Sequence, residues 1–357
     1  MHHDALRRFS FPVLRSVAAT ALVTTALASG CGGAARSARA AVLVDEAAVA
    51  LAHGELDRAE AGLRLALEHA PGDAPALANL GLVAATRGQL PEAERYLRAA
   101  VAADEDLVEG WASLGVVLER EGRDDEARGA YERALSIHPD RPEPRRMLAL
   151  LLARTGRVPE ARAHLLRLSV VAPDDPEVWG LLAWCELRLE RLLAARAAAR
   201  EALARDPRAP AARLVEAVLR ALGGEIEPAI ETLTSLGEDP IVGHDARVRR
   251  LALEVLIGRT EGASRELAVL LEDDPFDPAV RLVAARAALA EGATAEARAH
   301  AREARALAPN LSAAWLIEAE ACAREGDLEG ARAALDAVAS GGDATERERA
   351  RIADLLR

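Results

Sequence analysis

The sequence predicts an all-α protein in which nine copies of a helix–turn–helix unit stack into a solenoid. Within each unit, apolar residues recur at spacings of three and four, and Gly and Pro stand where helices end. The same features return every 34 residues without insertion or deletion. Two helices of about a dozen residues cannot bury their apolar faces alone, so each unit depends on the next for its core.

The second helix of each unit carries an alanine at one fixed place, which allows the two helix axes to approach closely. These alanines are Ala59, Ala93, Ala127, Ala161, Ala195, Ala229, Ala263, Ala297 and Ala331. Glycines separate the two helices with the same period, at Gly54, Gly88, Gly122, Gly156, Gly224, Gly258, Gly292 and Gly326, and Glu190 interrupts the series. Prolines end the second helix at Pro71, Pro139, Pro173, Pro207, Pro275 and Pro309. We therefore predict helix boundaries at these positions.

The stretch from Trp111 resembles the tetratricopeptide repeat family, whose pattern is W-x2-L-G-x2-Y, followed by A, an aromatic residue, A and P. The matching residues are Trp111, Leu114, Gly115, Leu118 in place of Tyr, Ala127, Tyr131, Ala134 and Pro139. Nine units in this phase fill residues 40–345, and residues 346–357 are predicted to form a C-terminal capping helix. The resemblance implies a right-handed superhelical solenoid that binds proteins.

The N-terminus, residues 1–30, is predicted to be a signal peptide. Three arginines precede an apolar segment at residues 16–28, which is shorter than the roughly 20 residues that span a bilayer. The arginine pair Arg7-Arg8 also resembles a twin-arginine export signal, with Ser10 where that motif has Phe. Export by the general secretory pathway and export by the twin-arginine pathway are both compatible with these residues.

Small residues before Cys31 resemble the lipobox of bacterial lipoproteins, in which the peptide is cut before the cysteine and the cysteine is acylated. Ala28 departs from the Leu that this motif prefers. The resemblance implies lipid attachment at Cys31 and a tether that runs up to residue 39. It also implies sorting to the periplasmic side of the outer membrane, because the residue after the cysteine is Gly32 and not Asp. An ordinary cleaved signal, giving a soluble periplasmic or secreted protein, is the alternative.

The charge pattern narrows the class of partner that the protein can bind. The chain carries −12, all 45 of its basic residues are Arg, and removal of the signal leaves the mature chain near −14. Interspersed charges of both signs with no basic stripe argue against a nucleic-acid partner. Cys185 and Cys322 lie on first helices of different units, and we expect both to be buried free thiols.

No motif in the sequence supports catalysis, a cofactor, a metal site or a small-molecule substrate. The chain has no phosphate loop, HExxH, GxSxG or paired CxxC motif. His164 and His300 share one place in the repeat, and we interpret them as solvent-facing polar residues. An enzyme with an unrecognised site remains the alternative from another functional class.

The family resemblance places the binding surface on the first helices, at the second, fifth, ninth and twelfth places of each unit. The candidate residues for a partner-binding groove are Leu82, Val116, Arg146, Leu150, Trp184 and Val218. Because most of them are apolar, we expect a partner protein that presents an apolar helix or extended segment. Trp184 has two interpretations, an exposed interface anchor or a residue packed between adjacent first helices.

The middle units depart from the consensus by placing charges at core positions. Glu186, Arg220 and Glu254 share the eleventh place in three successive units, and Glu216 and Arg250 share the seventh place in two. Glu216 with Arg220, and Arg250 with Glu254, are also four residues apart. We predict a partly buried ladder of paired charges; a slight helix rotation that exposes all five side chains is the alternative.

Together these features predict a non-catalytic, lipid-anchored adaptor of the cell envelope. It resembles lipoproteins that assist assembly of secretins, pili or polysaccharide exporters. An adaptor that recruits cell-wall enzymes is the alternative within the same class.

Overall fold

The computed structural model describes residues 33–338 and 349–353, and the part of the chain it describes is helical with no strand. Its contacts divide the chain into two compact units, one up to Val215 and one from Glu216. The predicted all-α fold of repeated helix pairs is confirmed in both. The signal peptide and Cys31 lie outside the described residues.

The first unit holds five helix pairs and the start of a sixth. Its helices are α1 (Gly33–Ala52), α2 (Leu56–His69), α3 (Ala74–Thr86), α4 (Leu90–Ala103), α5 (Val108–Arg120), α6 (Asp124–Ile137), α7 (Pro142–Arg154), α8 (Val158–Val171), α9 (Pro176–Arg188), α10 (Leu192–Arg205) and α11 (Pro210–Leu222), which contains the boundary between the units. The helix α1 begins at Gly33, so most of the segment predicted as a tether is helical.

The second unit continues with α12 (Ile226–Leu236), α13 (Gly243–Leu256), α14 (Thr260–Asp273), α15 (Pro278–Glu291), α16 (Thr294–Leu307), α17 (Ser312–Glu325) and α18 (Leu328–Asp336). Residues 349–353 are also helical. Ile352 in this segment is fully buried in a cluster with Leu316 and Leu335, so the segment covers apolar side chains of the last helix pair.

The turn between the two helices of a pair requires a left-handed backbone conformation. All eight glycines of the 34-residue series have φ between 77° and 93°. Glu190, which interrupts the series, adopts φ of 59° and is the one non-Gly residue with positive φ in the described part of the chain. The turn geometry is therefore retained at Glu190 although its side chain makes that conformation unfavourable.

The alanine series marks the closest approach of the two helices in each pair. All nine alanines are 0% exposed. In the third pair, a Cβ atom added at Gly115 would lie 2.5 Å from the ring of Tyr131, so the aromatic ring packs directly on the α5 backbone. In this pair, the absence of a side chain at Gly115 on α5 thus makes room for the ring of Tyr131 on α6.

In several units the side chain at the fourth place ties a helix pair to the turn that precedes it. Trp111 donates from Nε1 to the Glu105 carbonyl at 2.9 Å, and Trp179 donates to the Pro173 carbonyl at 2.7 Å. Where Trp is replaced by Arg the bond persists, since Arg281 donates from Nε to the Pro275 carbonyl at 3.2 Å. Both residue types therefore satisfy a carbonyl at the joint between successive pairs.

Candidate functional site

The apolar candidate residues of the first unit lie at equivalent places on four successive first helices. Leu82 on α3 and Trp184 on α9 are each 7% exposed, whereas Val116 on α5 and Leu150 on α7 are half-buried. Val116 and Leu150 are therefore the members of this row that a partner can reach. Val218, also half-buried, belongs to the second unit.

The side chain of Trp184 is packed, which decides between the two interpretations that the sequence left open. Its ring is nearly covered, and the guanidinium of Arg188 lies over it with Cζ 5.3 Å from the ring centroid. Arg188 also donates from Nη1 to the Ala153 carbonyl at 2.6 Å. Trp184 thus stabilises the joint between α7 and α9 and offers a partner little surface.

Arg146, a candidate groove residue, is engaged within the protein. Its guanidinium forms ion pairs with Asp175 and, at 2.6 Å, with Glu177, both at the start of α9. Glu109 is paired in a similar way with Arg141. Glu143 shares the second place of the unit with Glu109 and Glu177, and unlike them it has no ion pair among the residues that the structure describes. Glu143 therefore offers a partner a negative charge on the same helix as Leu150.

Arginines at the thirteenth place form a set of contacts that we did not predict from the sequence. Arg120 donates to the Ala85 carbonyl at 2.7 Å, and Arg188 makes the equivalent bond to Ala153. In the second unit, Arg324 donates to the Leu289 carbonyl at 2.8 Å. Each carbonyl lies at the end of the preceding first helix and also accepts from the backbone N–H of the turn glycine, so the arginine adds a second donor. The regular 34-residue spacing of these arginines was the signal that could have identified them.

A cluster of partly buried charges surrounds the hydroxyl of the buried Tyr131 where α5, α6 and α7 meet. The hydroxyl of Tyr131 donates to Glu119 at 3.0 Å, and Arg154 lies 3.4 Å from the same carboxylate and 2.6 Å from Asp124. Burial raises the pKa of Glu119, and the charge of Arg154 opposes that rise. Burial, followed by the charge of Glu119, raises the pKa of Tyr131 well above its ordinary value. Glu119 therefore takes up a proton more readily here than in water.

The predicted charge ladder is present only as separate pairs. Glu216 and Arg220 form an ion pair at 2.8 Å, but both side chains are more than 40% exposed. Arg250 is partly buried and pairs with Glu254 at 2.8 Å and with Glu266 on α14 at 2.5 Å. Glu186 is almost fully buried and pairs with Arg162 on α8. The prediction of partial burial is thus confirmed for Arg250 and Glu254 and is wrong for Glu216 and Arg220.

His164 has an arginine partner, and Cys185 and Cys322 are buried. Nδ1 of His164 lies 3.5 Å from Arg145, and burial, followed by the Arg145 charge, lowers its pKa. Cys185 and Cys322 are buried free thiols, and burial raises the pKa of Cys185 to about 12.

No group of three or more His, Cys, Asp or Glu side chains is arranged to hold a metal ion in residues 33–338 and 349–353. Among the described helices, none has the length and apolar character needed to cross a membrane.

Comparison with protein families identifies the repeats. Two tetratricopeptide repeat models match the chain, one over residues 118–185 and the other over residues 44–108 and 78–142. No curated protein matches the chain. These matches cover the helix pairs that carry the candidate groove of the first unit.

Solved structures share the same architecture. PilF of Pseudomonas aeruginosa is 20% identical over 57% of this chain and 92% of its own, with a TM-score of 0.51. The APC/C hetero-tetramer Cut9–Hcn1 is 16% identical over 82% of this chain and 57% of its own, with a TM-score of 0.54. At these identities the likeness shows the fold alone.

Proteins of this family are typically interaction scaffolds that bind peptides or other proteins, and their fold is generally non-catalytic. The matched models, the 34-residue period and the helix pairs agree with one another. Residues 44–185 therefore form tetratricopeptide repeats.

Proposed function

We propose that this protein is a non-catalytic adaptor of the bacterial cell envelope that assists assembly of a secretin, pilus or polysaccharide-export complex. We further propose that it is exported, acylated at Cys31 and held at the periplasmic side of the outer membrane. The leader and the lipobox-like residues support this location. The observation that carries the binding role is the half-buried pair Val116 and Leu150 on adjacent first helices.

The accessible part of the groove favours one kind of partner segment. Val116 and Leu150 offer apolar surface, and Glu143 adds a carboxylate without an ion pair among the described residues. Arg146 is held by ion pairs at the start of α9, and Trp184 lies under Arg188 of its own helix, so neither side chain is free to engage a partner. An amphipathic segment with apolar anchors one repeat apart fits this surface, and the adjacent acidic edge favours a basic flank.

Crosslinking in intact cells tests the proposal. The double variant Val116→Gln and Leu150→Gln removes the apolar anchors, and Leu166→Gln on α8 is the matched control because Leu166 is also partly exposed but lies on a second helix. We expect components of an envelope assembly to be captured by the wild-type and control proteins and lost from the double variant, while its circular dichroism is retained. Capture of cell-wall enzymes instead would contradict the assembly role and leave the adaptor role intact.

A further inference from the structure

A cavity of about 330 Å³ lies among α14, α15 and α16 in the second unit. Its lining is Ser264, Leu267, Ala268, Leu271, Glu272, Ala284, Ala287, Ala288, Glu291, Glu296 and His300. Leu267, Ala284 and Ala288 are buried and make an apolar floor. The acidic residues are exposed, so they stand at the rim.

The cavity exists because large consensus residues are replaced by alanine. In the third helix pair, Leu114 and Leu118 fill the seventh and eleventh places and are each 2% exposed. The eighth pair has Ala284 and Ala288 at the same two places, and both alanines line the cavity. Replacing leucine by alanine removes side-chain volume that the surrounding backbone does not recover.

Carboxylates of the second unit differ in whether an arginine neutralises them. Glu318, for example, is held by Arg302 at 2.7 Å and by Arg305 at 2.9 Å. Glu272, Glu291 and Glu296, by contrast, form no ion pair with arginine in the described part of the chain. Glu291 accepts a hydrogen bond from Ser264 Oγ at 2.9 Å, which fixes its position without neutralising its charge.

His300 adds a donor to this rim. Its Nδ1 lies 3.2 Å from Nη1 of Arg281 and accepts from that group, so Nε2 carries the hydrogen in the neutral ring. Nε2 lies 3.7 Å from Glu296. Arg281 itself is paired with Glu303 at 2.6 Å and does not line the cavity. The carboxylates therefore have no arginine side chain beside them in the lining.

We infer that this cavity receives the side chain of an arginine or lysine from a partner protein. The aliphatic stem would lie on Leu267, Ala284 and Ala288, and the cation would lie among the carboxylates of the rim. Long basic side chains pair an apolar stem with a charged end, which matches an apolar floor below an acidic rim. This surface shares no residue with the groove of the first unit, so the inference does not depend on the proposed function of that groove.

Methyl NMR of the purified protein with single-residue probes tests the inference. N-acetyl-arginine amide and N-acetyl-lysine amide should shift the Leu267 and Leu271 methyl signals saturably at millimolar concentration. N-acetyl-norleucine amide has a similar stem without the charge, and it should bind at least about fivefold more weakly, the factor expected from about 1 kcal/mol of charge pairing near a surface. Equal binding of norleucine, or no saturable shift with either cation, would overturn the inference.

Two variants test separately how the apolar floor and the acidic rim of the cavity contribute to binding. Ala284→Leu restores the consensus residue and fills the cavity, so it should abolish binding of the arginine probe. Glu291→Gln keeps an acceptor for Ser264 and should weaken binding about fivefold through the loss of one charge. Glu261→Gln, which removes an exposed carboxylate outside the cavity, is the control and should bind like the wild type. Wild-type affinity in Glu291→Gln would contradict the assignment even if Ala284→Leu fails to fold.

Discussion

At the scale of single residues, this fold depends on where side chains are small. Ala127 is fully buried between α5 and α6, whereas Ala163 on α8 is exposed. A methyl group at the first site already fills the space between two backbones. Any larger side chain there must move a helix or adopt an unfavourable rotamer, while the second site has room in solvent.

Ala127→Leu should therefore lower the free energy of unfolding by about 1–3 kcal/mol, the usual cost of overpacking. Ala163→Leu is the control and should change it by less than about 0.5 kcal/mol, as surface substitutions do. Urea denaturation followed by circular dichroism measures both. Equal effects at the two sites would contradict the register of the repeat.

A second residue-scale prediction concerns pH. Since burial raises the pKa of Glu119 above its ordinary value of 4.5, the folded protein binds more protons than the unfolded chain just above that pH. The stability that this group contributes is full below the unfolded pKa and is lost as pH rises through the folded pKa. Glu119→Gln removes the titration and keeps an acceptor for Tyr131.

We expect the free energy of unfolding of the wild type, relative to the Glu119→Gln variant, to fall as the pH rises above 4.5. Denaturation at a series of pH values measures this difference. A difference that stays constant, or that rises with pH, would show that burial does not raise the pKa of Glu119 in the folded protein.

The sequence predicted these small-residue positions well but predicted the environment of polar side chains poorly. Periodicity identifies a buried alanine because any larger residue is excluded at that place. Trp184 could not be assigned in the same way, because a large aromatic ring suits both a core and an interface. Its packing under Arg188 depends on a contact between side chains that spacing alone does not determine.

At the scale of helices, successive pairs are joined by hydrogen bonds to exposed carbonyl groups as well as by apolar packing. Arg120, Arg188 and Arg324 reach the end of the preceding first helix, and Trp111 and Trp179 reach the preceding turn. The sequence predicted the helices but not these bonds, because an arginine side chain can reach several acceptors. The same freedom explains why Glu216 and Arg220 are exposed although they occupy core places of the consensus.

Arg250 is partly buried and Arg220 is exposed, so replacing each of them by Leu should have unequal effects on stability. Arg250→Leu should lower the free energy of unfolding by about 1–3 kcal/mol, because Glu254 and Glu266 would lose a partly buried partner. Arg220→Leu, the matched control, should change it by less than about 1 kcal/mol because its pair is exposed.

Hydrogen exchange locates these two effects. Arg250→Leu should accelerate exchange in α13 and α14, and Arg220→Leu should leave exchange in those helices unchanged. Faster exchange in both variants would mean that Arg220 contributes to packing beyond its exposed ion pair.

At the scale of the whole molecule, the proposed role requires that the repeats be held at a membrane. The apolar segment at residues 16–28 is shorter than a membrane span, and no described helix is long and apolar enough to cross one. Stable anchoring by acylation alone takes more than one chain, because a single fatty acid gives only weak, reversible binding. A lipoprotein-type modification at Cys31 would supply such an anchor at one end of the repeats.

Cys31→Ser should therefore release the protein from membranes and abolish its labelling by a fatty-acid analogue. Cys322→Ser is the control, because it also removes a thiol but one that is buried and free, and this variant should remain labelled and membrane-bound. Fractionation of cells after metabolic labelling measures both outcomes. If Cys31→Ser stays in the membrane fraction with its label, the lipid is attached elsewhere. If the wild type is unlabelled and soluble in the periplasm, the leader is an ordinary cleaved signal, and the repeats must reach their partner by diffusion.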